Sequence, residues 1–133
     1  MARPRVLFAD DQAEILEAVS RLVDGECEIV ASVHDGKSAL EGVARLDPDV
    51  VVLDISMPVL NGIETASRLR ESACRARVVF LTFRDDPDYV EAAFSLGAFG
   101  YVLKSRMASD LLPAIREVSE GRKFVSPALT CYR

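Results

Sequence analysis

The chain has no tryptophan, one histidine and three cysteines in 133 residues, and none of its apolar runs approaches the about 20 residues that a membrane-spanning helix requires. Each shortage narrows the field. Residues Met1-Ala2-Arg3-Pro4 lack the apolar stretch of a secretory leader, so a soluble, cytoplasmic protein is expected, with no membrane partner. Cys27, Cys74 and Cys131 are odd in number and far apart, without the close pairs of zinc sites or redox motifs, which makes them buried or incidental thiols in a reducing setting. The lone His34, beside Asp35-Gly36, reads as a surface turn residue. Basic residues are outnumbered, 16 against 21 acidic, for a net charge of −5. That balance argues against this stretch gripping a nucleic acid or an anionic membrane, which needs clustered Lys and Arg.

Half of the residues are hydrophobic, enough for one core in a chain of this length and too little chain for a second folded domain. Short β-branched-rich runs at Val6–Ala9, Ile29–Val33, Val50–Leu53, Val78–Leu81 and Tyr101–Leu103 predict five strands. Helical spacing lies between them: Ile15, Leu16, Val19, Leu22 and Val23, then Ala39, Leu40, Val43 and Leu46. A third helix is expected from Gly62 with Ile63, Ala66 and Leu69 inward, and a fourth from Pro87 with Val90, Ala93 and Phe94 inward, closing at Gly97. The fifth would start near Ser109 as N-cap, with Pro113 at the end of its first turn, and stop at Gly121. Alternating βα units with almost wholly apolar strands imply a parallel sheet covered by helices on both faces. The tail from Lys123 fits no further unit and is expected to be a docked segment or the start of a linker.

Ligands of such sheets bind outside the carboxyl ends of the strands, where strand order reverses. Strand one ends in Asp10-Asp11, strand three in Asp54, strand four in Thr82 and strand five in Lys104. Two carboxylates about 5 Å apart repel by roughly 3 kcal/mol at an effective dielectric near 20. Lys104 neutralises one charge, and a hard divalent cation, Mg²⁺ or Mn²⁺, suits the rest. Taken singly, each residue has a plainer reading: Asp10-Asp11 as a solvated loop, Thr82 as a backbone-satisfied hydroxyl, Lys104 as surface, Tyr101 as core. Their weight lies in converging on one rim.

Phe8-Ala9-Asp10-Asp11, Val52-Leu53-Asp54-Ile55-Ser56-Met57-Pro58, Asn61-Gly62, Leu81-Thr82 and Gly100-Tyr101-Val102-Leu103-Lys104 together resemble the receiver domain of two-component response regulators. The resemblance spans nearly the whole chain. It implies a flavodoxin-like (βα)5 doubly wound fold, a five-stranded parallel sheet in the order 2-1-3-4-5, occupying residues 1–122, with 123–133 as tail or linker. It further implies that Asp54 is a phosphoacceptor for a sensor histidine kinase, acting with Mg²⁺ (or Mn²⁺) held by Asp10, Asp11, Asp54 and the backbone carbonyl of Ser56. Thr82 and Lys104 would bind phosphoryl oxygens, and Thr82 and Tyr101 would form the switch.

Such a domain is no enzyme acting on free substrates; it does only self-phosphotransfer and autodephosphorylation. Ser56 and Arg84 match positions that set the lifetime of the phosphoryl group, and Arg84 is expected to slow its hydrolysis by crowding the attacking water. Ser105 stands where many receivers carry a proline, and Phe83 where a small residue is common, narrowing access for small phosphodonors.

The segments Gly97–Lys104 and Glu120–Pro127 are similar to LuxR/NarL-type receivers, which precede a helix-turn-helix. DNA contact would then come only through an output domain absent from these residues, with homodimerisation on phosphorylation. A stand-alone receiver or phosphorelay module remains open. A small Mg²⁺-dependent aspartyl-nucleophile phosphatase is the alternative from another class, but it needs a second Asp where Ser56 stands. A flavin carrier would need a Ser/Thr-rich loop in place of Asp10-Asp11, and a nucleotide-binding enzyme a glycine-rich loop.

Overall fold

The computed structural model describes residues 3–127 and 129, so the expectation for Cys131 lies outside the described residues. The strands are β1 (Arg5–Ala9), β2 (Glu28–Val33), β3 (Val50–Leu53), β4 (Arg77–Thr82) and β5 (Gly100–Leu103). Alternating with them are α1 (Ala13–Leu22), α2 (Gly36–Leu46), α3 (Gly62–Glu71), α4 (Pro87–Ser95) and α5 (Met107–Ser119). All pairings are parallel, in the order β2-β1-β3-β4-β5, extended at the far edge by a two-residue strand, β6 (Phe124–Val125). The expected five-stranded order holds, and the sheet gains a sixth member from the tail.

Strand alternation splits the core in two. Leu7, Val51, Leu53, Val78, Phe80, Tyr101 and Leu103 pack against α2, α3 and α4 through Ala39, Val43, Ala66, Leu69, Val90 and Ala93. Val6, Phe8, Val50, Val52, Val79, Leu81 and Val102 face α1 and α5 through Leu16, Val19, Leu111, Ile115 and Val118. Burying one such side chain contributes about 1.5–3 kcal/mol, so the two faces, rather than helix propensity, hold the layers together. The interior strands are buried apart from Arg5 and Arg77 at the starts of β1 and β4, whereas β2 at the edge is half-exposed.

Two expectations about α5 are corrected. Its N-cap is Arg106, not Ser109, because a 3-10 turn over Lys104–Arg106 runs directly into the helix without a side-chain cap. Pro113 therefore lies in the helix interior rather than at the end of the first turn. The Lys104–Ser105 peptide is trans.

β6 forms because Phe124 N–H donates to Phe99 O at 2.9 Å and Ser126 N–H to Tyr101 O at 3.0 Å. The fully buried Ser126 hydroxyl then accepts the Leu103 N–H at 3.1 Å. His34 is exposed in a bend, as expected, Cys27 is buried and Cys74 half-buried, both as free thiols.

Candidate functional site

β1 lies between β2 and β3, so the chain reverses its direction of sheet growth there, and the ends of β1 and β3 frame a crevice. Asp10 directly follows β1 and its N–H donates to Val33 O at 3.0 Å; Asp54 follows β3 and its N–H donates to Ala9 O at 3.1 Å. These bonds extend the sheet by one residue and set the two carboxylates side by side. Thr82 ends β4, and Lys104 follows β5.

The loop from Asp54 to α3 is shaped by its turn residues. Asn61 caps α3, its side chain accepting the Glu64 N–H at 2.9 Å. Gly62 donates its N–H to Ile55 O at 2.8 Å, and a Cβ there would lie 2.1 Å from Asp54 O. Only glycine lets α3 start that close behind the acidic residue. Val59, with φ 68°, is left-handed in this loop, an unfavourable conformation for a β-branched residue.

Lys104 is the pivot of the site. Its ammonium, with the side chain 1% exposed, lies 2.9 Å from Asp54 Oδ2 and 2.7 Å from Asp10 Oδ2. A third contact runs to Gln12 Oε1 at 3.0 Å. Asp10 Oδ2 is near enough to Lys104 for strong attraction but off the direction of a hydrogen bond, and this buried oxygen has no hydrogen-bond donor. Burial pushes the Asp10 carboxyl above its ordinary value of 3.8, with the neighbouring Asp54 adding to it, and Lys104 and the Gln12 N–H offset this only in part.

Asp10, Asp11 and Asp54 each place one oxygen within 4.8 Å of the others. Three carboxylate oxygens this close, with one buried ammonium to offset them, fit a hard divalent cation.

The cleft beside them has a volume of about 490 Å³ and is lined by Asp11, Gln12, Asp54, Ser56, Thr82, Phe83, Arg84 and Lys104. Ser56 N–H donates to Asp54 Oδ1 at 3.3 Å. Phe83 is 63% exposed, and its ring centre lies 5.1 Å from Lys104 Nζ, a cation–π contact that overhangs the ammonium.

The sequence candidates Asp10, Asp11, Asp54, Ser56, Thr82, Arg84 and Lys104 therefore meet at one place. Tyr101 does not line the cleft: it is fully buried one strand away, and its hydroxyl donates to Arg84 O at 2.7 Å. Burial pushes its phenol well above the ordinary range. Gln12 escaped the sequence reading; its only signal was its place directly after Asp10-Asp11, at the rim where ligands bind.

A doubly wound α/β domain with three carboxylates and a lysine at its switch point is the architecture of a signal receiver. The response regulator receiver domain matches residues 6–116, and the chain belongs to that family. Among relatives, it is 38% identical over 128 residues to the transcriptional regulatory protein YvfU of Bacillus subtilis, covering 95% of this chain and 64% of the relative. It is 33% identical over 127 residues to the nitrate/nitrite response regulator NarL of Escherichia coli, covering 94% and 59%.

Among solved structures, the signal receiver domain of the response regulator NarL from Mycobacterium tuberculosis superposes with TM-score 0.88 at 31% identity, covering 92% of this chain and 100% of that one. A LuxR-family two-component response regulator from Aurantimonas sp. gives TM-score 0.93 at 29% identity, covering 98% and 95%. The domain is thus a receiver of the LuxR/NarL type, and the phosphatase and flavin-carrier readings are not favoured. The chain spans 59–64% of the length of YvfU and NarL. Among the described residues, no helix is long and apolar enough to cross a membrane.

Proposed function

We propose that Asp54 accepts a phosphoryl group from a phosphohistidine of a sensor histidine kinase. The observation that carries this reading is the buried Lys104 ammonium, 2.9 Å from an Asp54 oxygen at the floor of an open cleft. An Asp54 carboxylate oxygen attacks phosphorus; the new O–P bond forms as the P–N bond breaks, and the imidazole nitrogen keeps the electron pair. Lys104 holds one phosphoryl oxygen as a point charge, and the Thr82 hydroxyl donates to another.

Asp11, Asp54 and the Ser56 backbone carbonyl, with Asp10 close behind them, would hold Mg²⁺ (or Mn²⁺), which would supply charge neutralisation there. The domain performs self-phosphotransfer and autodephosphorylation rather than turnover of a free substrate. Thr82 and Tyr101 form the switch, and Ser56 and Arg84 set the lifetime of the phosphoryl group, with Arg84 slowing hydrolysis.

The receiver unit of a cytoplasmic regulator, expected over residues 1–122, takes in the docked strand β6 and the buried Ser126 as well, and the chain beyond it leads toward a DNA-binding output domain. The likeness to YvfU, a transcriptional regulatory protein, and to NarL, a nitrate/nitrite response regulator, supports this arrangement. Phosphorylation drives homodimerisation through either the α1/α5 face or the α4-β5-α5 face.

The test is intact mass after incubation with a phosphorylated histidine kinase or with phosphoramidate and Mg²⁺. The native chain should gain one phosphoryl group; Asp54→Asn and a metal-free control should not. A gain that survives in Asp54→Asn would overturn the assignment.

A further inference from the structure

Arg84 is a cation at the rim of the cleft with no carboxylate partner among the described residues. Its guanidinium donates to the neutral Ser56 Oγ at 3.2 Å and lies over the Tyr89 ring, 4.9 Å from its centre. The hydrogen bond is exposed and neither contact is to a charged group, so they hold the side chain without committing it. Ser56 in turn bonds Asp54 Oδ1 through its N–H at 3.3 Å, which puts the guanidinium two hydrogen bonds from the acidic oxygen. On its far side Arg84 borders a second cleft, of about 400 Å³, with Met57, Ile63 and Tyr89.

The main chain of the same residue touches both switch positions. Arg84 N–H donates to Thr82 Oγ1 at 3.3 Å, and Arg84 O accepts the Tyr101 hydroxyl at 2.7 Å. A Thr82 hydroxyl drawn toward a phosphoryl oxygen gives up the Arg84 N–H and frees residue 84 at the moment that new charge arrives.

That charge is countable. Phosphorylation turns the singly charged Asp54 carboxylate into a phosphoryl group with close to two negative charges, adding one. Lys104 is already shared between Asp10 and Asp54. The planar guanidinium fork matches phosphate oxygens, and a charge-assisted bond is about twice as strong as one between neutral groups.

We propose that Arg84 is a second phosphoryl-binding cation, parked on Ser56 and Tyr89, and that its transfer to a phosphoryl oxygen uncovers the Tyr89 ring at the start of α4. This rests on the reading of Asp54 as acceptor. It makes Arg84 a direct phosphoryl ligand in addition to a shield against water, and it gives the first turn of α4 a surface that depends on the state of Asp54.

The experiment uses beryllofluoride with Mg²⁺ as a phosphoryl mimic on the native chain and on Arg84→Ala, Arg84→Gln and Arg84→Lys. Tyrosine emission is unmasked because the chain lacks tryptophan, and subtraction of Tyr89→Phe isolates the Tyr89 signal. Arg84→Ala and Arg84→Gln should bind beryllofluoride about tenfold more weakly, as for the loss of one charge-assisted contact, with Arg84→Lys recovering most of it.

Acrylamide quenching of Tyr89 should rise on beryllofluoride binding in the native chain and be high throughout in Arg84→Ala. Equal affinities across the variants with unchanged Tyr89 quenching overturn the proposal while leaving Asp54 as acceptor. Failure of the native chain to bind, indistinguishable from Asp54→Asn, overturns both.

Discussion

Lys104 ties the two buried carboxylates of the site together. A buried ammonium with two carboxylates within 3 Å is held by its partners and holds them in return. Removing one member of such a group leaves uncompensated buried charge, at a cost of about 3–5 kcal/mol. Lys104→Ala is therefore expected to lose that order of stability in metal-free urea unfolding, and to take up phosphoryl poorly even where Mg²⁺ restores the fold. A variant as stable as the native chain would show that the carboxylates are solvated rather than bound by Lys104.

The sequence made the residues of this cluster legible because each ends a strand, and strand ends in a parallel sheet converge. Tyr101 and Gln12 were less legible, since their contacts are to Arg84 O and to Lys104 across the sheet. No periodicity or spacing encodes a contact to a main-chain carbonyl 17 residues away.

The elements divide in the same way. The five βα units could be read from apolar runs and helical spacing, because their burial is what those patterns record. β6 could not: two residues make no pattern, and its place depends on backbone bonds to β5 and on the Ser126 hydroxyl. Ser126→Ala leaves the buried Leu103 N–H without its acceptor, a cost of about 1–3 kcal/mol. Hydrogen exchange at Leu103, Phe124 and Ser126 should then accelerate, while exchange at β1 and β3 keeps its rate relative to global unfolding. Unchanged exchange at Leu103 would mean that β6 contributes nothing to the edge.

The opposite end of the sheet makes a second prediction. Burial of Asp49 would raise its carboxyl, but the Arg5 N–H at 2.8 Å and the Arg75 guanidinium at 2.7 Å outweigh it and hold the carboxyl below its ordinary value of 3.8. A depressed folded-state value contributes stability above the unfolded value and loses it as pH falls through the folded one. Asp49→Asn should thus be less stable than the native chain at neutral pH, with the difference shrinking below pH 3.8. Thermal unfolding of both chains between neutral and acid pH measures it; a gap that widens in acid would contradict the assignment.

At the scale of the molecule, one parallel sheet brings the ends of four strands to a single rim, gathering three carboxylates there, and the net charge of −5 makes this stretch a poor match for nucleic-acid phosphates. The fold supplies position, and the site supplies charge. The proposed function depends on Asp54 being the residue modified. Borohydride reduction of the phosphorylated chain, followed by peptide mass mapping, tests this directly, because an aspartyl phosphate is converted to homoserine where it stood. Homoserine is expected at position 54, and only after incubation with a phosphodonor and Mg²⁺. Homoserine at position 10 or 11, with residue 54 unchanged, would contradict it.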